Sequence, residues 1–359
     1  MRADAVQADH LPKESRTNRV SSRPGDAGIR LALPSDGDLY EPTLAFLRSC
    51  GIAVDRPSAR RYMATINALP GATVLFQRTG DITQKMEEGS AELGITGLDR
   101  FLESRREGSP VVQLIEDLSF GQCDLVIAVP ESWLDVVSTD DLADLAVEFR
   151  QTGRQLRIAT KYPRLVRTFL YSRGINYFSL VQASGSLEAA PEAGYADLIA
   201  DLTASGVTLR ENRLKTLAEG SVLASQACLI GNRKLLRESP RALELARNIL
   251  ELVEGHLRAG SFYHLTANVR GDSAESVGAR IVSKADLAGL EGPTISSVYN
   301  VREEEAWSVS LVVPREQLLE AVDHLRDSGG TDIFASQISY LFEGSSPAYQ
   351  RLLDRLEEG

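Results

Sequence analysis

Cysteine is scarce: Cys50, Cys123 and Cys228 are the only three in 359 residues. They form no Cys-x-x-Cys pair and no Cys/His spacing, which argues against a structural zinc and against a disulfide framework. Small buried apolar residues are their expected role, and a reducing cytoplasm is the expected compartment. Long apolar runs are missing as well. A stretch such as Leu125–Pro130 falls far short of the ~20 residues a membrane-spanning helix needs, so no membrane partner is expected. Positive charge is in deficit, with 39 Lys and Arg against 50 Asp and Glu and a net charge of −11. Such a surface does not suit a nucleic-acid backbone, because counterion release needs clustered cations. A local basic pocket for a small phosphorylated molecule remains compatible with it. The four histidines, His10, His256, His264 and His324, are scattered. No Ser/His/Asp or Cys/His constellation emerges, so triad-type nucleophilic catalysis is not expected.

What is present is ordinary globular material: 43% hydrophobic and 25% charged residues, with a length that suggests two to three domains. Residues 1–28 carry five Lys/Arg and four Asp/Glu around no apolar core. They lack the pattern of a secretory signal and read as a disordered extension ending at Pro24-Gly25. Order is expected from Ile29-Arg-Leu-Ala-Leu33, a strand stopped by Pro34-Ser-Asp-Gly-Asp38. Short strands then alternate with helices. Helices are expected over Glu41–Cys50, Ile82–Glu88 and Pro163–Ser172, and strands over Thr73–Phe76, Glu92–Ile95, Asp124–Val129, Arg157–Ala159, Asn176–Val181 and Asp197–Leu202. Gly-bearing connections between them define an α/β class with mainly parallel sheets. Two lobes are expected, the first from 29–118 and 222–260, the second from 119–221, with a ligand cleft between them. From about Ser261 the order becomes βαββαβ through residue 343, a ferredoxin-like arrangement, with a helix at 284–290 as its first crossover. Residues 344–359 read as a tail helix, with Tyr349, Leu352, Leu353 and Leu356 on one face.

One stretch carries most of the chemistry, Tyr195-Ala-Asp-Leu-Ile-Ala-Asp-Leu-Thr-Ala-Ser-Gly-Val-Thr-Leu209. Asp197 and Asp201 are four apart on a strand and so share a face. Asp201 falls at the strand's C-terminal end, where α/β sheets present ligands. Thr203, Ala204, Ser205, Gly206, Val207 and Thr208 follow into a short helix. Hydroxyls and backbone N–H groups there can hold an anion, and Gly206 permits close approach of a phosphate. Such a segment suits a ribose phosphate, with the carboxylate on the 2′ and 3′ hydroxyls. An ordinary strand-to-helix turn capped by Ser or Thr fits the same residues.

The segment resembles the phosphoribosyl diphosphate (PRPP) loop of the ATP phosphoribosyltransferase family, in its long form. Other stretches resemble the family in order along the chain. They are Ile29-Arg-Leu-Ala-Leu-Pro34 with Leu39-Tyr-Glu-Pro-Thr-Leu44, Glu92-Leu-Gly-Ile-Thr-Gly-Leu-Asp99, Ser119-Phe-Gly-Gln-Cys-Asp-Leu125 and Arg157-Ile-Ala-Thr-Lys-Tyr-Pro163. Gly185-Ser-Leu-Glu-Ala-Ala-Pro191, Ser225-Gln-Ala-Cys-Leu-Ile230, Gly292-Pro-Thr-Ile295, the Trp307 strand and Ile333-Phe-Ala-Ser336 continue it. The resemblance spans residues 29–343. It implies a bilobed, periplasmic-binding-protein-like catalytic unit with a C-terminal ferredoxin-like regulatory domain. It also implies transfer of phosphoribosyl from PRPP to N1 of ATP, the first step of histidine biosynthesis, with Mg2+, feedback inhibition by histidine and a homo-hexamer.

The resemblance further implies catalytic and tentative metal-holding roles for Asp197 and Asp201, and PRPP binding by Thr203–Thr208. It points to ATP or pyrophosphate contacts at Arg78, Asp81, Thr96, Gly97, Lys161 and Glu188, and to inhibitor contacts at Asn268, Thr294 and Ser336. Salt bridges, helix caps and strand-end turns are the plain structural roles open to these same residues. One departure stands out. Where the family carries a cation after the first strand, this chain has Ser35-Asp36-Gly37-Asp38. Acids there repel pyrophosphate unless Mg2+ bridges them or Arg30, Arg78 or Lys161 substitutes. That swap motivates an alternative, a catalytically weakened paralogue that binds nucleotide or histidine and regulates a partner. A solute-binding protein on the same bilobed fold is a third reading.

Overall fold

In the computed structural model, residues 28–58, 60–182, 185–299 and 305–357 are described. The expected extension at 1–28 therefore lies outside the described residues, Gly28 excepted.

The first lobe opens with β1 (Ile29–Pro34), α1 (Tyr40–Ser49), β2 (Val54–Asp55), β3 (Met63–Ile66) and β4 (Ala72–Gln77). It continues through α2 (Ile82–Glu87), β5 (Leu93–Gly97), α3 (Leu98–Ser104) and β6 (Val111–Ile115). Ile29, Leu31, Ala32 and Leu33 are all buried, as a strand covered on both faces demands. β1 runs parallel to both β4 and β5.

The second lobe holds β7 (Cys123–Pro130), α4 (Thr139–Gln151), β8 (Leu156–Thr160), α5 (Pro163–Ser172), β9 (Phe178–Gln182), β10 (Leu198–Thr203), α6 (Val207–Glu211) and β11 (Leu214–Ser225). Its sheet has the order β11-β7-β10-β8-β9. The chain then returns through β12 (Ala227–Asn232), α7 (Arg233–Glu238) and α8 (Pro240–Ala259). β12 completes the first sheet, whose order is β2-β3-β4-β1-β5-β12-β6. The architecture is α/β with two lobes, as expected, but the crossing point moves. β11 pairs with β7 up to Ser225, so residues 222–225 belong to the second lobe. Register shifts in that pairing, between Thr216 and Ser221 and between Ser221 and Leu223, break the alternation that marks a strand in sequence.

The C-terminal domain is β13 (Phe262–Arg270), α9 (Ala274–Val282), β14 (Thr294–Ser297), β15 (Ala306–Pro314), α10 (Leu318–Asp327) and β16 (Gly330–Gln337). The sheet order β14-β15-β13-β16 with antiparallel neighbours is the ferredoxin-like βαββαβ arrangement. Its first helix is displaced from expectation. α9 is capped by Ser273 and buries Val277 and Ile281 one turn apart, whereas 284–290 holds only a 3-10 turn at Ala285–Leu287.

The tail helix α11 (Pro347–Glu357) does not stay with this domain. Ala348 and Leu352 are fully buried in the first lobe's core, with Tyr349 and Leu356 packed beside them. Ser346 Oγ and the Ala348 N–H both donate to Glu254 of α8. The strap from 338 to 357 thus ties the C-terminal domain back onto the first lobe.

Candidate functional site

A cavity of about 420 Å³ lies between the lobes. The first lobe contributes Asp38, Thr79, Gly97 and Arg100; the second contributes Cys123, Tyr162, Thr203 and Ala204. Apart from Cys123, which opens β7, these residues lie at or just past the C-terminal ends of β1, β4, β5, β8 and β10, where α/β sheets direct their loops toward a ligand.

Asp201 stands near the end of β10, and its Oδ1 accepts the Leu202 N–H at 2.9 Å. Burial pushes its carboxyl above the usual range; the Leu202 N–H, Lys161 and Arg100 oppose this, and Glu188 adds to it. The electrostatics thus gather Lys161 and Glu188, both expected site residues, around Asp201. Beyond it, Thr203 Oγ1 accepts the Gly206 N–H at 2.9 Å. Gly206 adopts φ 69°, a left-handed conformation that favours glycine, and α6 begins at the next residue. Ser205, Val207 and Thr208 are exposed. Arg210 folds back so that Nη1 donates to the Ser205 carbonyl at 3.4 Å, which adds a cation to this loop.

The expected pairing of Asp197 with Asp201 is corrected. Four strand residues separate the two by about 13 Å, and Asp197 lies just before β10, at the end of the sheet remote from the cleft. There its carboxylate accepts the Arg157 backbone N–H at 2.8 Å, Nε at 3.2 Å and Nη2 at 2.9 Å. Burial pushes the Asp197 carboxyl up, but the Arg157 hydrogen bonds and the Arg157 and Arg154 charges outweigh it and hold it below the usual range. Asp197 forms an ion pair with Arg157 and does not stand beside Asp201.

Thr96 is corrected too. It is fully buried within β5, and its hydroxyl donates to the Thr79 carbonyl at 3.3 Å, which steadies the loop after β4. Gly97 does line the cleft. Arg30 is removed from the possible substitutes for the loop cation, because Glu92 holds it with contacts down to 2.6 Å at the start of β1. Arg78 and Asp81 flank Thr79 and are exposed. Among the described residues Arg78 has no ion-pair partner.

Sequence reasoning missed the centre of the cleft floor. Asp99, in the first turn of α3, is 3% exposed. Its Oδ2 accepts the Tyr162 hydroxyl at 2.7 Å and its Oδ1 accepts the Ser225 hydroxyl at 2.8 Å. Tyr162 and Ser225 both belong to the second lobe. Arg100 lies 3.6 Å from Asp99 and over the Tyr162 ring, 4.5 Å from its centroid. A Cβ at Gly97 would sit 2.3 Å from Asp99 Oδ1, which is why glycine is needed there. Asp99, Gly97, Tyr162 and Ser225 fall inside stretches already singled out in the sequence, and Arg100 is the next residue after one of them; only the fold reveals that they meet. Burial, with the Asp99 charge next, raises the nearby Cys123 thiol to about 11, so this cysteine is a neutral cleft wall at pH 7.

In the C-terminal domain, Asn268, Thr294 and Ser336 lie on the sheet face opposite the buried row Leu265, Ala267 and Val269. Thr294 lines a cavity of about 570 Å³ with Arg258, His264, Glu291, Ser310 and Glu343. Ser336 is one strand away, its hydroxyl on the His264 carbonyl at 3.4 Å. Asn268 stands four residues along β13 from His264, about 13 Å away, and does not join them.

Among the described residues, no helix is long and apolar enough to cross a membrane, and no cluster of three His, Cys, Asp or Glu side chains could hold a metal ion.

Two α/β lobes around a cleft, a carboxylate leading into a Thr/Ser/Gly turn, and an appended ferredoxin-like domain define a bilobed protein with an interlobe cleft and a separate C-terminal module. Comparison with known proteins narrows that class. A family model described as ATP phosphoribosyltransferase matches residues 78–255, and one described as the HisG C-terminal domain matches residues 259–340. ATP phosphoribosyltransferase 1, chloroplastic, of Arabidopsis thaliana is 37% identical over 353 residues, covering 95% of this chain and 85% of the relative. The ATP phosphoribosyltransferase of Brucella anthropi is 44% identical over 224 residues, covering 96% of that relative but 62% of this chain. Among solved structures, an ATP phosphoribosyl transferase (HisG:HisZ) complex from Thermotoga maritima aligns with a TM-score of 0.48 and 24% identity, over 63% of this chain and 98% of that one. The chain belongs to the ATP phosphoribosyltransferase family, in the long form that carries the C-terminal domain.

Proposed function

We infer that the interlobe cleft transfers phosphoribosyl from PRPP to N1 of ATP, giving phosphoribosyl-ATP and pyrophosphate, the first step of histidine biosynthesis. The supporting observation is the Asp201–Thr208 turn at the cleft edge of β10, opening on the cavity between the lobes. The 5′-phosphate of PRPP sits on Thr203–Thr208, with Gly206 allowing its approach and Arg210 adding charge. The ribose hydroxyls face Asp201. ATP and the departing pyrophosphate lie toward the first lobe, beside Arg78, Gly97 and Arg100, with Lys161 and Glu188 across the cleft.

Adenine N1 attacks with a lone pair and carries no proton, so the step needs no obligatory general base. Catalysis rests on positioning and on stabilising the departing pyrophosphate and the electron-poor ribose. Arg100 and Arg78 supply the cations that the Asp36 and Asp38 loop lacks. Mg2+ fits as an ion carried mainly by the substrate's phosphate oxygens, with Asp201 the nearest of the expected carboxylates, since magnesium commonly takes one or two carboxylates plus phosphates and water. It would neutralise charge on the leaving group.

Histidine as feedback inhibitor is placed on the open sheet face at Thr294 and Ser336, where Arg258 and Glu291 or Glu343 match the carboxylate and ammonium of an amino acid. A homo-hexamer is the expected assembly. The compartment is the reducing cytoplasm, in keeping with free thiols at Cys50, Cys123 and Cys228.

Incubation of the full chain with ATP, PRPP and Mg2+ tests the reading. Phosphoribosyl-ATP and pyrophosphate appear in equal amounts, and added histidine slows their formation. ATP binding without product supports the paralogue instead.

A further inference from the structure

The cleft has a fastening that lies outside its ligand-lining residues. The chain crosses between the lobes at 118–123 and again at 225–227, and these crossings are tied side by side: Leu118 N–H donates to Ala227 O at 3.0 Å, and Ala227 N–H to Phe120 O at 3.0 Å. They form a hinge. A third link joins α3 of the first lobe to α5 of the second.

α5 begins with Pro163 after Tyr162, and Tyr162 gives it no side-chain cap. The two following amides need acceptors, since the first turn of a helix leaves its N–H groups unpaired. Glu103, in the last turn of α3, supplies both. Its Oε1 accepts the Arg164 N–H at 2.9 Å and its Oε2 accepts the Leu165 N–H at 3.0 Å. The cap of a second-lobe helix therefore comes from the first lobe. A carboxylate in that position is further favoured by the helix dipole. Arg164 reinforces the link with a hydrogen bond from Nη1 to the Arg105 carbonyl.

The residues just before α5 are those of the cleft. Lys161 acts on Asp201, and Tyr162 donates to Asp99. Separating the lobes uncaps α5 and releases the segment that carries both.

We propose that Glu103 is a positioning residue for phosphoribosyl transfer: by capping α5 from the opposite lobe it holds the lobes in register and fixes Lys161 near Asp201 and Tyr162 on Asp99. This rests on the reading of the cleft given above. Glu103 touches no substrate and acts through α5.

The test compares Glu103→Ala and Glu103→Gln in the full chain by steady-state kinetics and by amide exchange over residues 164–170. The alanine variant loses kcat on the order of 10- to 100-fold, as sub-ångström to ångström misplacement of reacting groups does, and its Arg164 and Leu165 amides exchange faster. Glutamine keeps one acceptor oxygen but turns its NH2 toward the other N–H, so it recovers part of the turnover lost in the alanine variant. Wild-type kcat and KM in the alanine variant overturn the proposal. Equal loss in both variants also overturns it, because the cap would then not be what matters. If the wild-type chain itself forms no phosphoribosyl-ATP, the reaction reading falls separately. The latch is then decided by exchange alone: faster exchange at Arg164 and Leu165 in Glu103→Ala supports it, and unchanged exchange overturns it.

Discussion

Arg157 grips Asp197 through its backbone N–H at 2.8 Å and through its guanidinium at 2.9 and 3.2 Å. A carboxylate so occupied stabilises the second lobe, and the proposed chemistry rests on Asp201 alone. Asp197→Asn is accordingly expected to keep its turnover but lose stability, by ~0.5–2 kcal/mol at neutral pH for a charge-assisted, half-buried contact screened by solvent on the arginine side. The pH dependence has a definite sign. The folded Asp197 carboxyl lies below the usual range, so its contribution is fully present above the unfolded value of about 3.9 and is lost as pH falls through the lower folded value. Urea titrations across that window show the wild type and Asp197→Asn converging in acid. Loss of turnover with unchanged stability would restore Asp197 to the site.

Gly97 meets Asp99 too closely to accept a side chain. A methyl group there sits 2.3 Å from Asp99 Oδ1 and must push the carboxylate off Ser225 or Tyr162. Gly97→Ala is expected to cost ~1–3 kcal/mol, the range for overpacking a close-packed site. Its kcat/KM falls as well, because Tyr162 lines the cleft. A chemical-denaturation midpoint equal to wild type would show that Asp99 has room to move.

The tail helix belongs to the first lobe's core. Leu352 is fully buried there, and Leu352→Ala should cost ~2–5 kcal/mol, read as a lowered urea midpoint for the catalytic lobes. No loss of stability would mean that the helix rests on the lobe without supporting it.

Histidine sensitivity is better tested by point substitution than by removing residues 261–359, since that cut also strips Ala348 and Leu352 from the core. Thr294→Val and Ser336→Ala leave uninhibited turnover intact and weaken inhibition by histidine, measured as a shift of the dose–response curve. An unshifted curve places the inhibitor elsewhere.

Regular elements were legible because their patterns are local. Pro163 opens α5, and its helix runs to Ser172 as the periodicity predicts. The βαββαβ order of the C-terminal domain follows from the same cues. β11 was hidden by its register shifts. α4 escaped notice although Ser138 and Asp141 form a capping box at its start. The site divided along the same line. Asp201 and its turn are contiguous, so their place at the end of β10 could be read from local pattern. The Asp99–Tyr162–Ser225 cluster joins residues 63 and 126 positions apart, which no local pattern reports. Asp197 misled because spacing fixes the face of a strand but not which end of it meets the ligand.

Asp201 carries the central claim, and the pH profile of phosphoribosyl-ATP formation tests it. Burial raises its carboxyl, and in the proposed site the ionised form is the one that would accept the ribose hydroxyls. Wild-type kcat/KM for PRPP should therefore rise with pH through an acid limb above the usual aspartate value. Asp201→Asn, with its fold intact by circular dichroism, should lose both the turnover and that limb. An Asp201→Asn chain that forms phosphoribosyl-ATP at the wild-type rate, with the same acid limb, would contradict the account.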